Sequence, residues 1–231
     1  KVGARYAKKI FVTSSEAASF FPEGKTEIYG NPVRALPEAS TLERPKEFPE
    51  GKKCVFITGG SQGALGINRK IEESIKEIIA DTSLSVVWQV GSKHVESFQE
   101  RLGNLPNVSI VGFVNNVYAY FQYADLIVSR AGASALAEIL AFGKPSVLLP
   151  FPHATANHQE KNARVVEKAG AALVELDDEP NQLWTKISDL LNNDTKRGQL
   201  AEQAKNPGMP DAADRIAKAI LKMEKYYAKN A

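Results

Sequence analysis

From residue 52 onward, short runs of apolar, mostly β-branched residues alternate with longer segments whose apolar positions recur every three or four residues. The short runs predict strands at Cys54–Thr58, Ser85–Val90, Val108–Val111, Leu126–Ser129, Ser146–Leu149 and Ala172–Val174. The longer segments predict helices at Ile67–Ile79, where positions 67, 71, 75, 78 and 79 are apolar, and at His94–Leu102, Ala133–Phe142 and His158–Lys168. Strands alternating with helices imply βαβ units, which close right-handed into a parallel sheet. VVWQV and SVLLP are almost unbroken in apolar character, as strands buried on both faces are. The expected fold class is therefore α/β, a Rossmann-like parallel sheet with helices on both faces. The chain shows no internal repeat or low-complexity tract.

The ends of the chain carry a different pattern. In residues 1–34, KKIFVTS reads as one strand and EIYGNPVR as another followed by a turn. Residues 35–51 are charged, contain Pro37, Pro45 and Pro49, and read as a linker. Residues 52–205 then hold one complete domain, and 206–231 end in an amphipathic helix over 211–229. There Ile216, Ile220, Met223 and Tyr227 form an apolar stripe, beside Arg215, Lys218, Lys222, Lys225 and Lys229. The basic row reads as the solvated face of a packing helix. The expected organisation is the tail of one domain, a linker, and a second domain entire. The absent initiator methionine fits a chain that is part of something longer.

Composition narrows the function classes. Hydrophobic residues are 43% and charged residues 24%, and the net charge is only +2, with no long basic run, so a dedicated nucleic-acid binder is disfavoured. The lone Cys54, inside KCVFI, is expected to be a buried small hydrophobe in a reducing compartment. No segment approaches the ~18 apolar residues of a membrane-spanning helix. The start KVGARYAKK lacks the apolar core of an export signal.

Chemistry is expected where the strands end, because an open parallel sheet binds ligands outside its carboxyl edge. That edge is rich in glycine: TGGSQGALG, VGS, VGFVNN and SRAGASALAE follow the first four strands, and PFPHATANHQ the fifth. In the first loop, Gly59, Gly60 and Gly63 permit positive φ and close approach of a ligand, and the following helix start is a ready anion site. Ser61 adds a hydroxyl. The loop lacks a P-loop lysine and departs from G-x-G-x-x-G, and Gln89-Val90-Gly91 offers no acid for an NAD ribose. An ATPase reading therefore fails and a dinucleotide dehydrogenase is disfavoured, while a merely structural strand-to-helix turn suits this loop as well as a ligand site does. In the second such loop Gly132 turns the chain, Ala133 and Ser134 open the helix, and Glu138 lies a turn inside it. That carboxylate suits either the two hydroxyls of a ribose or simple dipole complementation. Binding at 0.1 mM requires about 5–6 kcal/mol, of which two helix ends supply about 2 kcal/mol. Arg34, Phe113 with the backbone of Val114, and Gln159 are candidates for the remainder, and a diphosphate fits the set. His153 and His158 lack the cysteine or carboxylate neighbours of a metal site, and His158 reads as a helix-start packing residue. No Ser-His-Asp order or G-x-S-x-G elbow supports nucleophilic hydrolysis.

GNPVR (30–34), TGGSQGA (58–64), GFVNN (112–116), ADLIVSRAGASALAE (124–138), GKPSVLLPFPHATANHQEKNA (143–163) and KAGAA (168–172) occur in one order over nearly the whole chain. Together they closely resemble the MurG family, the UDP-N-acetylglucosamine–N-acetylmuramyl-(pentapeptide) pyrophosphoryl-undecaprenol N-acetylglucosamine transferases. The resemblance implies a two-domain GT-B architecture whose C-terminal domain holds the donor, UDP-N-acetylglucosamine, with no further cofactor and no protein-bound metal. It places Arg34 at the domain junction near the donor, Ser61 on the diphosphate, the Val114 backbone on the uracil, Ala133 and Ser134 facing phosphates and sugar, Glu138 on the ribose and Gln159 on the sugar hydroxyls. It implies inversion at the anomeric carbon, a lipid-linked undecaprenyl acceptor, and a peripheral location on the cytoplasmic face of the plasma membrane. The catalytic base is unassigned and expected in the N-terminal acceptor domain, upstream of Lys1. The chain departs from the family at Ala135, where threonine is usual, and at Phe113-Val114-Asn115, where Phe-Ile-Asp is usual. The alternatives are another GT-B UDP-sugar transferase, a UDP-N-acetylglucosamine 2-epimerase, and a non-catalytic UDP-binding half.

Overall fold

The computed structural model describes residues 3–205 and 208–229. The N-terminal stretch forms β1 (Ile10–Val12), a short helix α1 (Ser15–Ala18) and β2 (Thr26–Ile28), and the two strands pair in parallel. The main body runs β3 (Lys53–Thr58), α2 (Leu65–Glu73), α3 (Ile75–Ala80), β4 (Leu84–Gln89), α4 (Val95–Leu102) and β5 (Val108–Val111). It continues through α5 (Val117–Tyr123), β6 (Leu126–Ser129), α6 (Ala133–Ala141), β7 (Ser146–Leu148), α7 (His158–Lys168) and β8 (Leu173–Val174). Three helices close the chain: α8 (Leu183–Leu191), α9 (Asp194–Lys205) and α10 (Ala212–Lys229).

The main sheet is entirely parallel, in the order β5-β4-β3-β6-β7-β8. Strand order reverses between β3 and β6, and at such a point the two flanking loops diverge to opposite faces and open a crevice. The period-two alternation of β3 divides the core. Val55 and Ile57 pack with Ile67, Ile71, Trp88 and Leu126 on one face, while Cys54 and Phe56 pack with Phe48, Phe121, Ile127 and Ile139 on the other. All of these side chains are essentially withdrawn from solvent.

The six strands lie where the apolar runs placed them, with ends shifted by a residue at most. The helix expected over 67–79 is broken: Ser74 separates α2 from α3, and its N–H bonds Ile71 rather than Lys70. The carbonyl of Lys70 is taken instead by the Asn181 side-chain amide, at 2.8 Å. An inserted side chain that captures a ladder carbonyl interrupts a helix in this way.

Residues 35–51, expected as a linker, lie against the body of the domain. Phe48 is fully buried, and its ring meets Tyr120 of α5 edge-on at 5.6 Å. Tyr123 donates to the Leu42 carbonyl at 2.9 Å, and the Arg44 guanidinium lies 4.6 Å from the Tyr123 ring centre. The helix expected over 211–229 spans Ala212–Lys229, and it lies against the N-terminal pair. There Arg215 sits 4.9 Å from the Tyr29 ring centre and donates to the Ile28 carbonyl. The stripe members Lys225, Tyr227 and Lys229 fall outside the described side chains.

Two buried features follow from this packing. The Cys54 thiol is pushed up to about 11, first by burial and then by the nearby Asp125 carboxylate, so it is protonated at neutral pH. Ellman's reagent should leave the native chain unmodified and titrate one thiol per chain in denaturant, because the thiolate is the reactive form. Glu175, only 1% exposed in its side chain, accepts from Lys70 at 2.7 Å, from Lys186 at 2.6 Å and from the Gln182 N–H at 3.0 Å. Burial alone would raise its carboxyl, but the Lys186, Lys70 and Gln182 donors hold it below its usual value. A carboxyl lowered by folding adds stability that is complete above its ordinary value of 4.5 and is lost as pH falls through the folded value. Glu175→Gln should therefore cost about 3–5 kcal/mol at pH 7 by leaving two lysines uncompensated. It should also flatten the acid limb of stability in urea melts collected from pH 7 to pH 3.

Candidate functional site

A cleft of about 1280 Å³ follows the carboxyl ends of β3 and β6. Its walls are Gly59, Gly60, Gln62 and Gly63 of the first loop, without Ser61, and the start of α2; Ser129–Arg130 with Gly132 at the start of α6; Phe151 and Gln159, the latter in the first turn of α7; and Asp177 beyond β8. The first loop is held from beneath: the Gly60 N–H donates to Thr58 Oγ1 and its carbonyl accepts from Gln89 Nε2, each at 3.0 Å. Gly60 and Gly63 adopt φ of 79° and 74°, and the Gly63 N–H closes the turn onto Gly60. A Cβ on Gly63 would lie 2.0 Å from the Val90 carbonyl, whereas one on Gly60 would meet nothing. Gly63 is thus required because two sheet-edge loops touch main chain to main chain.

The expected site residues separate into two groups. Gln159 lies in the cleft, accepts from the Phe151 N–H at 3.0 Å, and stands close to Gly132. Ser61 occupies the exposed tip of the first loop. Ala133 and Ser134 form the first exposed residues of α6, and neither α2 nor α6 has a side-chain N-cap, so the opening N–H groups of both helices remain unpaired within the helix. Arg34 and Glu138 meet elsewhere, beside Tyr118 of α5. Glu138 Oε1 accepts from the Tyr118 phenol at 2.8 Å and from Arg34 at 3.4 Å, and the Arg34 guanidinium lies 4.6 Å from the Tyr118 ring centre. Val114 is buried in the same cluster as Tyr118. His158 turns Nδ1 onto the Thr155 carbonyl at 2.8 Å, a packing role at the start of α7. Among the described residues, no group of three or more His, Cys, Asp or Glu side chains is placed to hold a metal ion.

Two residues that sequence reasoning passed over shape the cleft. Arg130 grips Asp177 through both guanidinium nitrogens, each contact at 2.9 Å, and donates to the carbonyls of Leu149 and Pro150. Asp177 lies alongside the first turn of α2, so close that a Cβ on Gly66 would meet its Oδ2 at 2.1 Å. The expectation of an open anion site at that helix start is therefore modified: a carboxylate already borders it, neutralised by Arg130. The signal was available, since Arg130 follows the Leu-Ile-Val-Ser strand without a break and a charge at the end of so apolar a run needs a partner. Tyr118, within the aromatic run VYAYFQY, gave none.

Residues 54–216 match the family model for the glycosyltransferase family 28 C-terminal domain. The chain belongs to this family. Across its whole length it is 35% identical to the UDP-N-acetylglucosamine–N-acetylmuramyl-(pentapeptide) pyrophosphoryl-undecaprenol N-acetylglucosamine transferase of Salinibacter ruber, and it spans 63% of that relative's length. The crystal structure of Acinetobacter baumannii MurG superposes with a TM-score of 0.75 at 22% identity, over 95% of this chain and 61% of that one. A solved UDP-N-acetylglucosamine 2-epimerase follows with a TM-score of 0.67 at 17% identity, over 96% of this chain and 59% of its own. At such identities the two structures establish the shared fold, a Rossmann-like sheet of the GT-B kind.

The paired glycines give a test of the loop geometry. Both sit at positive φ, so alanine at either position should cost about 1–3 kcal/mol in strain. Gly63→Ala should cost clearly more than Gly60→Ala in chemical denaturation, because only at Gly63 must a neighbouring backbone move.

Proposed function

We propose that this chain is the donor-binding portion of an inverting glycosyltransferase that moves N-acetylglucosamine from UDP-N-acetylglucosamine to the lipid-linked N-acetylmuramyl-pentapeptide, within peptidoglycan synthesis. The observation that carries the reading is the family 28 C-terminal domain match, on a chain aligned end to end with a transferase of that name. The convergence of two uncapped helix starts on a glycine-rich cleft supports it.

In this reading the pyrophosphate meets the loop carrying Ser61 and the start of α6 at Ala133 and Ser134. The uracil lies against the Val114 backbone, Glu138 takes the ribose, Gln159 reads the sugar hydroxyls, and Arg34 approaches from the junction. The acceptor hydroxyl displaces UDP at C1 through an oxocarbenium-like state, by analogy with glycoside chemistry. Loop amides already in place stabilise the charge that grows on the leaving UDP. In this reading the base lies in a part of the enzyme outside this chain, which spans 63% of its relative's length. The acceptor brings the enzyme to the cytoplasmic face of the membrane as a peripheral protein; among the described residues no helix is long and apolar enough to cross one.

Isothermal titration with UDP tests the site. Glu138→Ala and Ser61→Ala should each weaken binding by about tenfold or more, the worth of a hydrogen bond to a charged group. Unchanged affinity in both would remove the nucleotide from these loops. Product analysis of the enzyme with its upstream portion separates the transferase from an epimerase.

A further inference from the structure

The cluster around Glu138 holds a residue that the proposed donor site does not use. Tyr118 is 6% exposed, and its ring is wedged by Phe142 at 5.1 Å and Phe121 at 6.3 Å between centres. Its hydroxyl donates to Glu138 Oε1 at 2.8 Å, while the Arg34 guanidinium covers the ring face and also interacts with the hydroxyl. Burial first, then the bond to Glu138, raise the phenol above its usual range, so at neutral pH Tyr118 is the donor and Glu138 the acceptor.

We propose that Tyr118 is a positioning residue for nucleotide recognition: it fixes Oε1 of Glu138 and so aims the carboxylate, whose Oε2 takes no hydrogen bond from the described residues, at the hydroxyls of a ribose. This rests on the donor-site reading above. A glutamate on a helix rim has three rotatable bonds, and left alone it would spread over several rotamers. One oxygen held by a rigid, packed phenol removes most of that freedom before a ligand arrives, which is how preorganisation adds affinity without a new ligand contact. Arg34 reaches the same Oε1 at the longer distance of 3.4 Å from a largely exposed side chain, and is too loosely held to do this alone.

The experiment compares UDP with 2′-deoxy-UDP as titrants of the full chain, in the parent protein, Tyr118→Phe and Glu138→Ala, with melting temperatures recorded for each. The parent should prefer UDP by roughly tenfold, and Glu138→Ala should abolish the preference. Tyr118→Phe keeps the ring, its packing and the stacking of Arg34 on its face. It should weaken UDP roughly fivefold to tenfold while leaving 2′-deoxy-UDP within twofold of the parent. An equal loss on both nucleotides, or no loss on either, would overturn the positioning role while leaving the donor site standing. A preference for UDP that survives Glu138→Ala, or failure of the parent to bind UDP, would instead overturn the assignment of Glu138 on which the proposal depends.

Discussion

Strand β3 exchanges main-chain hydrogen bonds with β4 along one edge and β6 along the other, and apolar side chains cover both of its faces. A strand so enclosed is accessible only at its ends. The loop after it must climb from the buried sheet into α2 within a few residues, beside the equivalent loop after β4. Glycine solves this by removing the side chain from the contact, which lets the Val90 carbonyl occupy the space a Gly63 Cβ would need. The same closeness keeps the α2 start near the sheet edge, and the cleft exists because β6, on the other side of β3, sends its own loop toward α6.

A second constraint acts from the far edge of the sheet. Glu175 and Asp177 lie two residues apart where the chain leaves β8 and enters a turn. The first is locked between Lys70 of α2 and Lys186 of α8; the second is locked by Arg130 beside the first turn of α2. Buried ion pairs of this kind contribute little net stability compared with well-packed apolar residues. Their value is geometric. They tie α2, β8 and the end of β6 into one frame, so both helix starts bordering the cleft keep a set separation.

The sheet was legible in the sequence because its strands are short, buried on both faces and separated by glycine, so composition and period agreed. Helix α5 was not, because VYAYFQY has the aromatic content of a strand, and only Phe48, Phe56 and Phe142 around it explain why it coils. Helix α9 is polar almost all round, with Leu200 and Ala204 its buried residues, and offers little periodicity to read. The break at Ser74 depends on Asn181, more than a hundred positions away, which no local pattern encodes. Site residues followed the same division. Gln159 stands in the cleft as local motifs placed it, whereas the phenol on Glu138 and the carboxylate beside Gly66 come from distant elements.

Arg34 shows how the two ends of the chain are joined. It precedes the linker, yet its guanidinium is found on α5 and α6 of the main body. Leu42 and Phe48 explain this, since both are buried against the domain and the chain between Arg34 and Leu42 is too short to wander far. The position of Arg34 is thus set largely by the domain it approaches. Its ion pair with Glu138 is loose: the arginine side chain is 70% exposed, and a pair so hydrated adds little to stability. A cation whose backbone position is fixed by the domain, and whose ion pair is this weak, can leave Glu138 without breaking anything that the fold requires.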